Sequence, residues 1–245
     1  SSVICEGLDI WEGAGDRGDA AMYLFGGSFF ALVTRKEAYL KELWPAIKWC
    51  AEYCRRKTGP EGVVCSDSDE LEGRCPTDKY ANLSTSCLAY GGYLLAANLA
   101  EEMGEPDLAV VYRNRAADLK VSMEAYFGED LHGFHTYRYT KGHDTLRSWI
   151  CLPLCMDIAT HAKGTAEAIT SPYLYSEAGQ LSEEGTAVAW DRSTLYGLRG
   201  MYRAAVILSE TDPEAGKALR KTATDYNYLC IYIPLKLSKA LIFCR

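Results

Sequence analysis

What the sequence lacks narrows the classes of protein to consider. No apolar run reaches the eighteen or so residues that a membrane-spanning helix needs, and residues 1–6 contain no basic region ahead of an apolar core. We therefore expect a soluble protein with no membrane partner. A secreted or periplasmic location stays open, because a signal peptide would already have been removed from such a chain.

Positive charge is also scarce. The chain has 26 Lys and Arg residues against 33 Asp and Glu, which gives a formal net charge of −7. Its basic residues are scattered rather than aligned in a stripe, so the surface does not suit nucleic acid. With 245 residues, 48% of them hydrophobic, the composition is that of an ordinary globular protein. We expect a single domain over residues 1–245.

The ten cysteines do not form a metal-binding pattern. Cys50 and Cys54 are four residues apart on one predicted helix face, as are Cys151 and Cys155. Neither pair has a second pair of Cys or His at the spacing of a zinc site. We expect these cysteines to be buried as small apolar residues, and we expect neither a metal nor another cofactor.

An acidic segment is the most distinctive feature. Residues 66–74, Ser-Asp-Ser-Asp-Glu-Leu-Glu-Gly-Arg, are called the acidic loop below and carry four carboxylates and one guanidinium. Turn residues flank the loop, and loops on a rigid scaffold often hold catalytic groups. A solvated surface loop is the alternative. Cys65 and Cys75 lie on either side and would close the loop as a disulfide in an oxidising compartment.

Apolar residues recur with helical spacing through most of the chain. Residues 1–33 are rich in Gly and aromatics and are interpreted as an irregular segment. Short links between some of the helices predict antiparallel helical hairpins. In order, we predict helices from Lys36 to Arg56 with a kink or restart at Pro45, from an Asn82 or Ser84 cap to Gly104, from Pro106 to Gly128, near Ser148 to Ala159, near Thr165 to Ile169, from about Ser193 to Ser209, and from Pro213 onward.

Long and short links alternate between these helices. If successive hairpins stack side by side, the long loops 58–83, 129–147 and 171–192 emerge at the same end and line one pocket. The helices that follow them point their N-termini there, which favours anionic or strongly polar groups. The sequence therefore predicts an all-α fold of helical hairpins with its functional groups at one mouth.

The three loops have the composition of a sugar-binding site. Aromatic rings stack on the C–H face of a pyranose, while charged groups bind paired hydroxyls. Trp149 and Trp190 have an alternative interpretation as core residues at junctions between loops and helices. The candidate binding residues outside the acidic loop are Tyr137, Arg138, Arg147, Trp149, Trp190, Arg192 and Tyr196.

Several motifs together resemble the six-hairpin glycosidase superfamily. The resemblance covers roughly residues 10–225 and is nearest to the glucosidase I and trehalase type of exo-glycosidase. It implies an (α/α)6 toroid, here incomplete, with a small β-hairpin in a loop, and a carbohydrate as the partner. The motifs are Asp67-Ser68-Asp69-Glu70-Leu71-Glu72-Gly73-Arg74, Asn82-Leu83-Ser84-Thr85-Ser86, Thr136-Tyr137-Arg138-Tyr139, Leu146-Arg147-Ser148-Trp149-Ile150 and Trp190-Asp191-Arg192-Ser193-Thr194-Leu195-Tyr196.

The resemblance also implies roles within the acidic loop. The family's pattern places Glu70 at the position of the general acid, with Asp69 as a rival and Glu72 as a third choice. Arg74 falls at the substrate-binding arginine, and Asp67 and Glu72 are further binding candidates. The implied mechanism is inverting hydrolysis, in which a second carboxylate about 6.5–9.5 Å from the acid activates water.

The general base is harder to assign. Only about four hairpins are predicted where the family has six, and residues 226–245 lose both the helical pattern and nearly all acidic residues. We interpret this atypical tail as a truncated or altered end. Asp191 is the best remaining candidate for a second acidic role, with sugar binding or support of another residue as its alternative duty.

Three functions stay open from the sequence. The first is an exo-acting glycoside hydrolase that removes terminal sugars from an oligosaccharide or glycan. The second is a catalytically inactive carbohydrate-binding remnant that lacks the general base. A helical-repeat scaffold for protein binding is the third, but the spacings between corresponding helices are too uneven for a regular solenoid.

Overall fold

The computed structural model describes residues 16–67 and 81–228. Their contacts divide them into two compact units, which are treated separately below. The first unit contains the described residues up to Phe127 together with 140–142, and the second contains residues 128–139 and the described residues from His143 onward. The expectation of a single domain stays a prediction.

The first unit is built from four long helices. Among them, α3 is buried along most of its length and packs against both α1 and α4. Gly104, with φ of 75°, reverses the chain between α3 and α4, so the predicted helical hairpin is confirmed. The helices are α1 (Asp19–Thr34), α2 (Glu37–Arg56), which continues through Pro45, α3 (Leu83–Glu102) and α4 (Pro106–Phe127).

Helix α1 corrects the prediction of an irregular N-terminal segment. Its glycines lower helix propensity, but tertiary packing outweighs that preference. Leu24 is fully buried, and a Cβ at Gly92 of α3 would lie 2.7 Å from its side chain. Gly18, with φ of 83°, begins the helix where a Cβ would lie 2.6 Å from Thr85 Oγ1. Close packing of α1 on α3 therefore explains the helix.

The second unit combines shorter helices with two small β-hairpins. Strands β1 and β2 pair antiparallel with Leu131 opposite Phe134, and their two-residue turn has the positive φ angles that tight hairpins require. The elements are β1 (Gly128–Leu131), β2 (Phe134–Tyr137), a 3-10 turn (Ser148–Cys151) that continues into α5 (Leu152–Cys155), α6 (Ala162–Thr170), β3 (Tyr175–Ser176), β4 (Gly179–Gln180), α7 (Asp191–Ser209) and α8 (Pro213–Asn227).

The helix predicted near Ser148 to Ala159 is wrong in its length. The segment forms one 3-10 turn and one short helix that ends at Cys155. Asp157 follows with φ of 63°, a left-handed conformation that a continuing helix cannot contain. The apolar spacing was present, but it reflects a fully buried turn rather than an amphipathic helix.

The fold class expected from the sequence is confirmed: the protein is all-α, built of helical hairpins, with a small β-hairpin in a loop. The predicted burial of the described helical cysteines is also confirmed. Within residues 16–67 and 81–228, no helix is both long and apolar enough to cross a membrane. The part of the atypical tail after Tyr228 lies outside the described residues.

Candidate functional site

The acidic loop is described only at its first two residues. Asp69, Glu70, Glu72 and Arg74 lie outside the described residues, so their roles stay predictions. Cys75 also lies outside them, and its disulfide with Cys65 stays a prediction. What the structure describes is the base of the loop, on either side of the residues that are not described.

The two ends of the segment that contains the acidic loop are held together. Cys65 and Ala81 form an isolated antiparallel bridge. Beside it, the buried Ser66 hydroxyl accepts a hydrogen bond of 2.9 Å from Asn82 Nδ2 and lies 3.2 Å from Thr85 Oγ1. Backbone and side-chain contacts thus fix the position from which the loop leaves the helices.

Asn82 connects this base to the start of α3. Its Oδ1 accepts hydrogen bonds of 2.8 Å from the Thr85 backbone N–H and from the Ser84 hydroxyl. Its side chain is fully buried, and its Nδ2 donates to Ser66 as described above. The same amide therefore caps α3 and holds the acidic loop, which confirms Asn82 rather than Ser84 as the cap.

Asp67, a predicted binding residue, is exposed and has a partner in another part of the chain. The backbone N–H of Asp16 donates a 2.7 Å hydrogen bond to Asp67 Oδ2. The Asp16 carboxylate accepts hydrogen bonds from Gly18 N–H at 3.0 Å and from the Tyr53 hydroxyl at 2.9 Å. Two carboxylates therefore lie together where the acidic loop begins.

The environment of Asp16 raises the pKa of its carboxyl above the usual value. Burial is the main cause, and the negative charge of Asp67 acts in the same direction. Hydrogen bonds from Gly18 and Tyr53 and the positive charge of Lys57 oppose the increase without cancelling it. A carboxyl that holds its proton more tightly is the kind of group that acid catalysis uses.

Asp16 and Tyr53 were missed from the sequence. A signal was present, because Asp16 lies in the glycine-rich run Gly13-Ala14-Gly15-Asp16-Arg17-Gly18 immediately before α1. An acidic residue in such a run has the backbone freedom to approach a neighbouring loop. Nothing in the sequence pairs Asp16 with Asp67, which lies 51 residues away.

In the second unit, the first turn of α7 collects several predicted binding residues. The Tyr196 ring packs edge to face against the Trp149 indole with 5.6 Å between centroids, and the Arg192 guanidinium lies 5.7 Å from the indole centre. Trp190 occupies the cap position of α7, and Asp191 follows as an exposed acid in the first turn. Trp149, Arg192 and Tyr196 thus form one cluster.

Trp149 is fully buried in this cluster. Its indole N–H has no hydrogen-bond acceptor within the described residues, and an unpaired buried donor costs about 1–3 kcal/mol. Burial also raises the pKa of Tyr196, with nearby Cys155 adding to the effect. The Trp149 indole therefore packs as a core residue does, and the role of Trp149 in sugar binding stays a prediction.

The remaining predicted binding residues lie near the β1–β2 hairpin. Arg147 pairs with Glu183 at 2.8 Å, and its guanidinium lies 5.8 Å from the Tyr139 ring centre. Arg138 donates a 2.9 Å hydrogen bond to Glu129. The buried Tyr137 contacts the His161 ring edge to face, with centroids 4.8 Å apart. The arginines are thus held in place by carboxylates of the same unit.

The candidate acids are divided between the units, with the acidic loop in the first and Asp191 in the second. The separation expected for an acid and a base therefore stays a prediction. In the part of the chain that the structure describes, no group of three or more His, Cys, Asp or Glu residues could hold a metal ion. The polar groups at the loop base are carboxylates, hydroxyls and backbone N–H groups, which suit proton transfer and hydroxyl recognition.

Comparison with known proteins gives information on the fold of this chain. No protein-family model matches the sequence, and no curated protein matches it either. Solved structures do match, and they include a glycosidase with a similar fold over part of its length.

One of the matching structures is a rhamnosidase from Klebsiella oxytoca with rhamnose bound. The two chains are 17% identical, and the TM-score is 0.55. The match covers 85% of the present chain and 36% of the rhamnosidase chain. At this identity the likeness concerns the fold, and the chain spans about a third of the length of its structural neighbour.

Proposed function

We propose that the protein is a glycoside hydrolase of the six-hairpin type, which removes terminal sugars from an oligosaccharide or glycan by inverting acid/base hydrolysis. The observation that carries the proposal is the carboxylate pair at the base of the acidic loop. Asp67 is held by Asp16 N–H at 2.7 Å, and the pKa of Asp16 is raised, mainly by burial. The fold of a known rhamnosidase supports the same class of protein.

The proposed roles combine the family resemblance of the acidic loop with the contacts at its base. Glu70 or Asp69 is the proton donor to the leaving oxygen, and Arg74 binds the substrate. Asp67, anchored by Asp16 N–H, is two or three residues from the donor in sequence, and a neighbouring carboxylate favours the protonated form of an acid. Asp191 is the candidate for the second acidic role. Trp190, Arg192 and the other aromatic and arginine residues of the second unit contact the sugar.

The test is a panel of 4-nitrophenyl and alkyl glycosides, including α-L-rhamnosides because of the structural neighbour. We expect release of a terminal sugar with inverted anomeric configuration. Proton NMR identifies the anomer that is released first. Loss of the general acid lowers kcat by about 10²–10⁴-fold. We test Glu70→Gln and Asp69→Asn separately. The variant that lacks the general acid should keep more of its activity on 4-nitrophenyl glycosides than on alkyl glycosides, because nitrophenolate leaves without a proton.

Asp107→Asn is the matched control, since this exposed carboxylate lies in the first turn of α4. Its activity should equal that of the unchanged protein. The hydrolase proposal fails if no glycoside in the panel is cleaved. It also fails if both acidic-loop variants retain full activity.

An inactive carbohydrate-binding protein is the alternative. The observation that favours it is the first turn of α7, where the partly exposed Trp190 at the cap position is followed by the exposed Asp191 and Arg192. This function predicts a change of tryptophan fluorescence on adding saccharides, without sugar release. If neither fluorescence nor hydrolysis responds across the panel, both carbohydrate functions are excluded.

A further inference from the structure

A small cavity in the first unit lies among α2, α3, α4 and the turn after α2. Its volume is about 270 Å³, and the polar side chains that line it include Arg55, Arg115, Asp118 and Ser122. None of the residues that line it belongs to the acidic loop or to its base. The cavity is called the Arg115 pocket below.

The turn at 58–62 closes one side of this pocket. Gly62 has φ of 79°, and a Cβ there would lie 2.2 Å from Ser122 Oγ. Only glycine permits the turn to approach α4 this closely. The turn is further held by Gly59 N–H, which donates to Val63 O at 2.9 Å. The wall that carries Thr58 is therefore fixed relative to α4.

Arg115 is held in one orientation before any ligand arrives. Its guanidinium pairs with Glu52 at 2.6 Å, and its side chain is 22% exposed. It also lies 5.6 Å from the Tyr112 ring centre and 5.9 Å from that of Tyr93. A guanidinium has five N–H donors, and a fixed fork loses little entropy when it binds an anion.

Glu52 does not neutralise the basic groups around it. The carboxylate accepts from Arg55 at 2.8 Å and pairs with Arg115 at its other oxygen. Burial acts to raise the pKa of Glu52, but the contacts with Arg55 and Arg115 outweigh burial and lower it. One carboxylate therefore faces two guanidiniums, and Asp118 places a second carboxylate on the lining. The formal charges around the cavity are equal, so anion binding there depends on the N–H donors of the guanidiniums rather than on an excess of positive charge.

We propose that the Arg115 pocket binds a small hydroxylated carboxylate of monosaccharide size, such as a hexuronic acid. The guanidinium of Arg115 or Arg55 binds the carboxylate, because the planar fork matches its two oxygens. Asp118 and the hydroxyls of Ser122 and Thr58 accept hydrogen bonds from the ligand hydroxyls. A volume just below the roughly 300–1,000 Å³ of ordinary ligand sites limits the occupant to one ring.

The test is an NMR titration of the ¹⁵N-labelled full chain with D-glucuronate, and separately with D-glucose and inorganic phosphate. We expect saturable shift changes for glucuronate at Arg115 and Ser122. Glucose should bind about tenfold or more weakly, because it lacks the charged acceptor for the guanidinium. Phosphate should also bind more weakly, because it lacks the ring hydroxyls.

Arg55→Gln should weaken glucuronate binding about tenfold. Arg55 is half exposed, so this change is expected to preserve the fold, which thermal unfolding would check. Arg113→Gln is the matched control on α4, since Arg113 pairs with Glu101 and does not line the pocket. Absence of saturable shifts, shifts confined to other residues, tighter binding of phosphate, or equal losses in both variants would overturn the proposal.

Discussion

Helices α3 and α7 both follow long loops that were predicted to carry functional groups, but their first turns are held in different ways. At α3, the buried Asn82 amide caps the helix and also binds Ser66 at the base of the acidic loop. At α7, Trp190 provides no side-chain cap, and Thr194 instead accepts from Gln180 N–H at 2.9 Å.

The difference bears on what each helix start can do. The polar network at α3 fixes the point from which the acidic loop leaves, as acid catalysis requires of its groups. At α7, packing of Trp149 against Tyr196 and Arg192 supports a turn whose Asp191 and Arg192 stay exposed. The difference teaches that a polar network holds one helix start, while packing of side chains holds the other.

Replacing Trp149, whose ring packs against the start of α7, should have the largest effect on stability. Trp149→Ala removes a fully buried indole and should lower the free energy of unfolding by about 4 kcal/mol. Trp190→Ala, the control at the partly exposed cap position, should cost about 1 kcal/mol. Urea unfolding measures both. Equal losses would contradict the view that packing, rather than the cap residue, holds the start of α7.

Removing the cap at α3 should have the next largest effect. Asn82→Ala deletes a cap worth about 1 kcal/mol and removes the buried hydrogen bonds of its amide with Ser66 and Ser84 at about 1–3 kcal/mol, so we expect a loss of about 3 kcal/mol. The control is Asp212→Ala at the exposed cap of α8, whose carboxylate accepts a hydrogen bond of 3.0 Å from Ala215 N–H. This change should cost about 1 kcal/mol. If the two variants lose equal free energy of unfolding, the contacts of Asn82 at the base of the acidic loop add no stability beyond that of the cap.

The smallest effect concerns pH. Because the pKa of Asp16 is raised on folding, mainly by burial, the folded state binds its proton more tightly than the unfolded state. That contribution to stability is present below the usual aspartate pKa and is lost as pH rises through the raised value. Relative to Asp16→Asn, the unchanged protein should therefore lose stability as the pH rises above the usual aspartate pKa of about 4.

Urea unfolding at a series of pH values would measure this difference. Asp107→Asn, which alters an exposed carboxylate in the first turn of α4, provides the control. Parallel pH profiles for the unchanged protein and Asp16→Asn would show that burial of Asp16 has no effect on its ionisation.

Local signals explain which parts of the fold were predictable. Pro106 and Pro213 open α4 and α8 as expected, because a proline in the first turn leaves an N–H that would be unpaired anyway. Helix α1 was missed, because its glycines favour irregular structure locally, while the helix depends on contact with α3. The prediction for residues 148–159 was wrong in length, because the apolar residues there are buried in a short turn and happen to have helical spacing.

The same distinction applies to the candidate site. The acidic loop and the aromatic motifs were visible in sequence, since each is a contiguous run of chemically distinctive residues. The contact of Asp16 with Asp67 and the sharing of Glu52 by two arginines join distant segments. Such contacts depend on how helices pack, and one sequence does not encode them in any short pattern.

The bridge between Cys65 and Ala81 has a consequence for how this protein can change. Antiparallel partners lie about 4.5–5.5 Å apart, so the helices themselves bring together the two ends of the intervening segment. Insertions or deletions within that segment then alter loop entropy only slowly with length. We therefore expect the residues between Asp67 and Ala81 to tolerate changes of length while Ser66 and the helical framework keep their contacts.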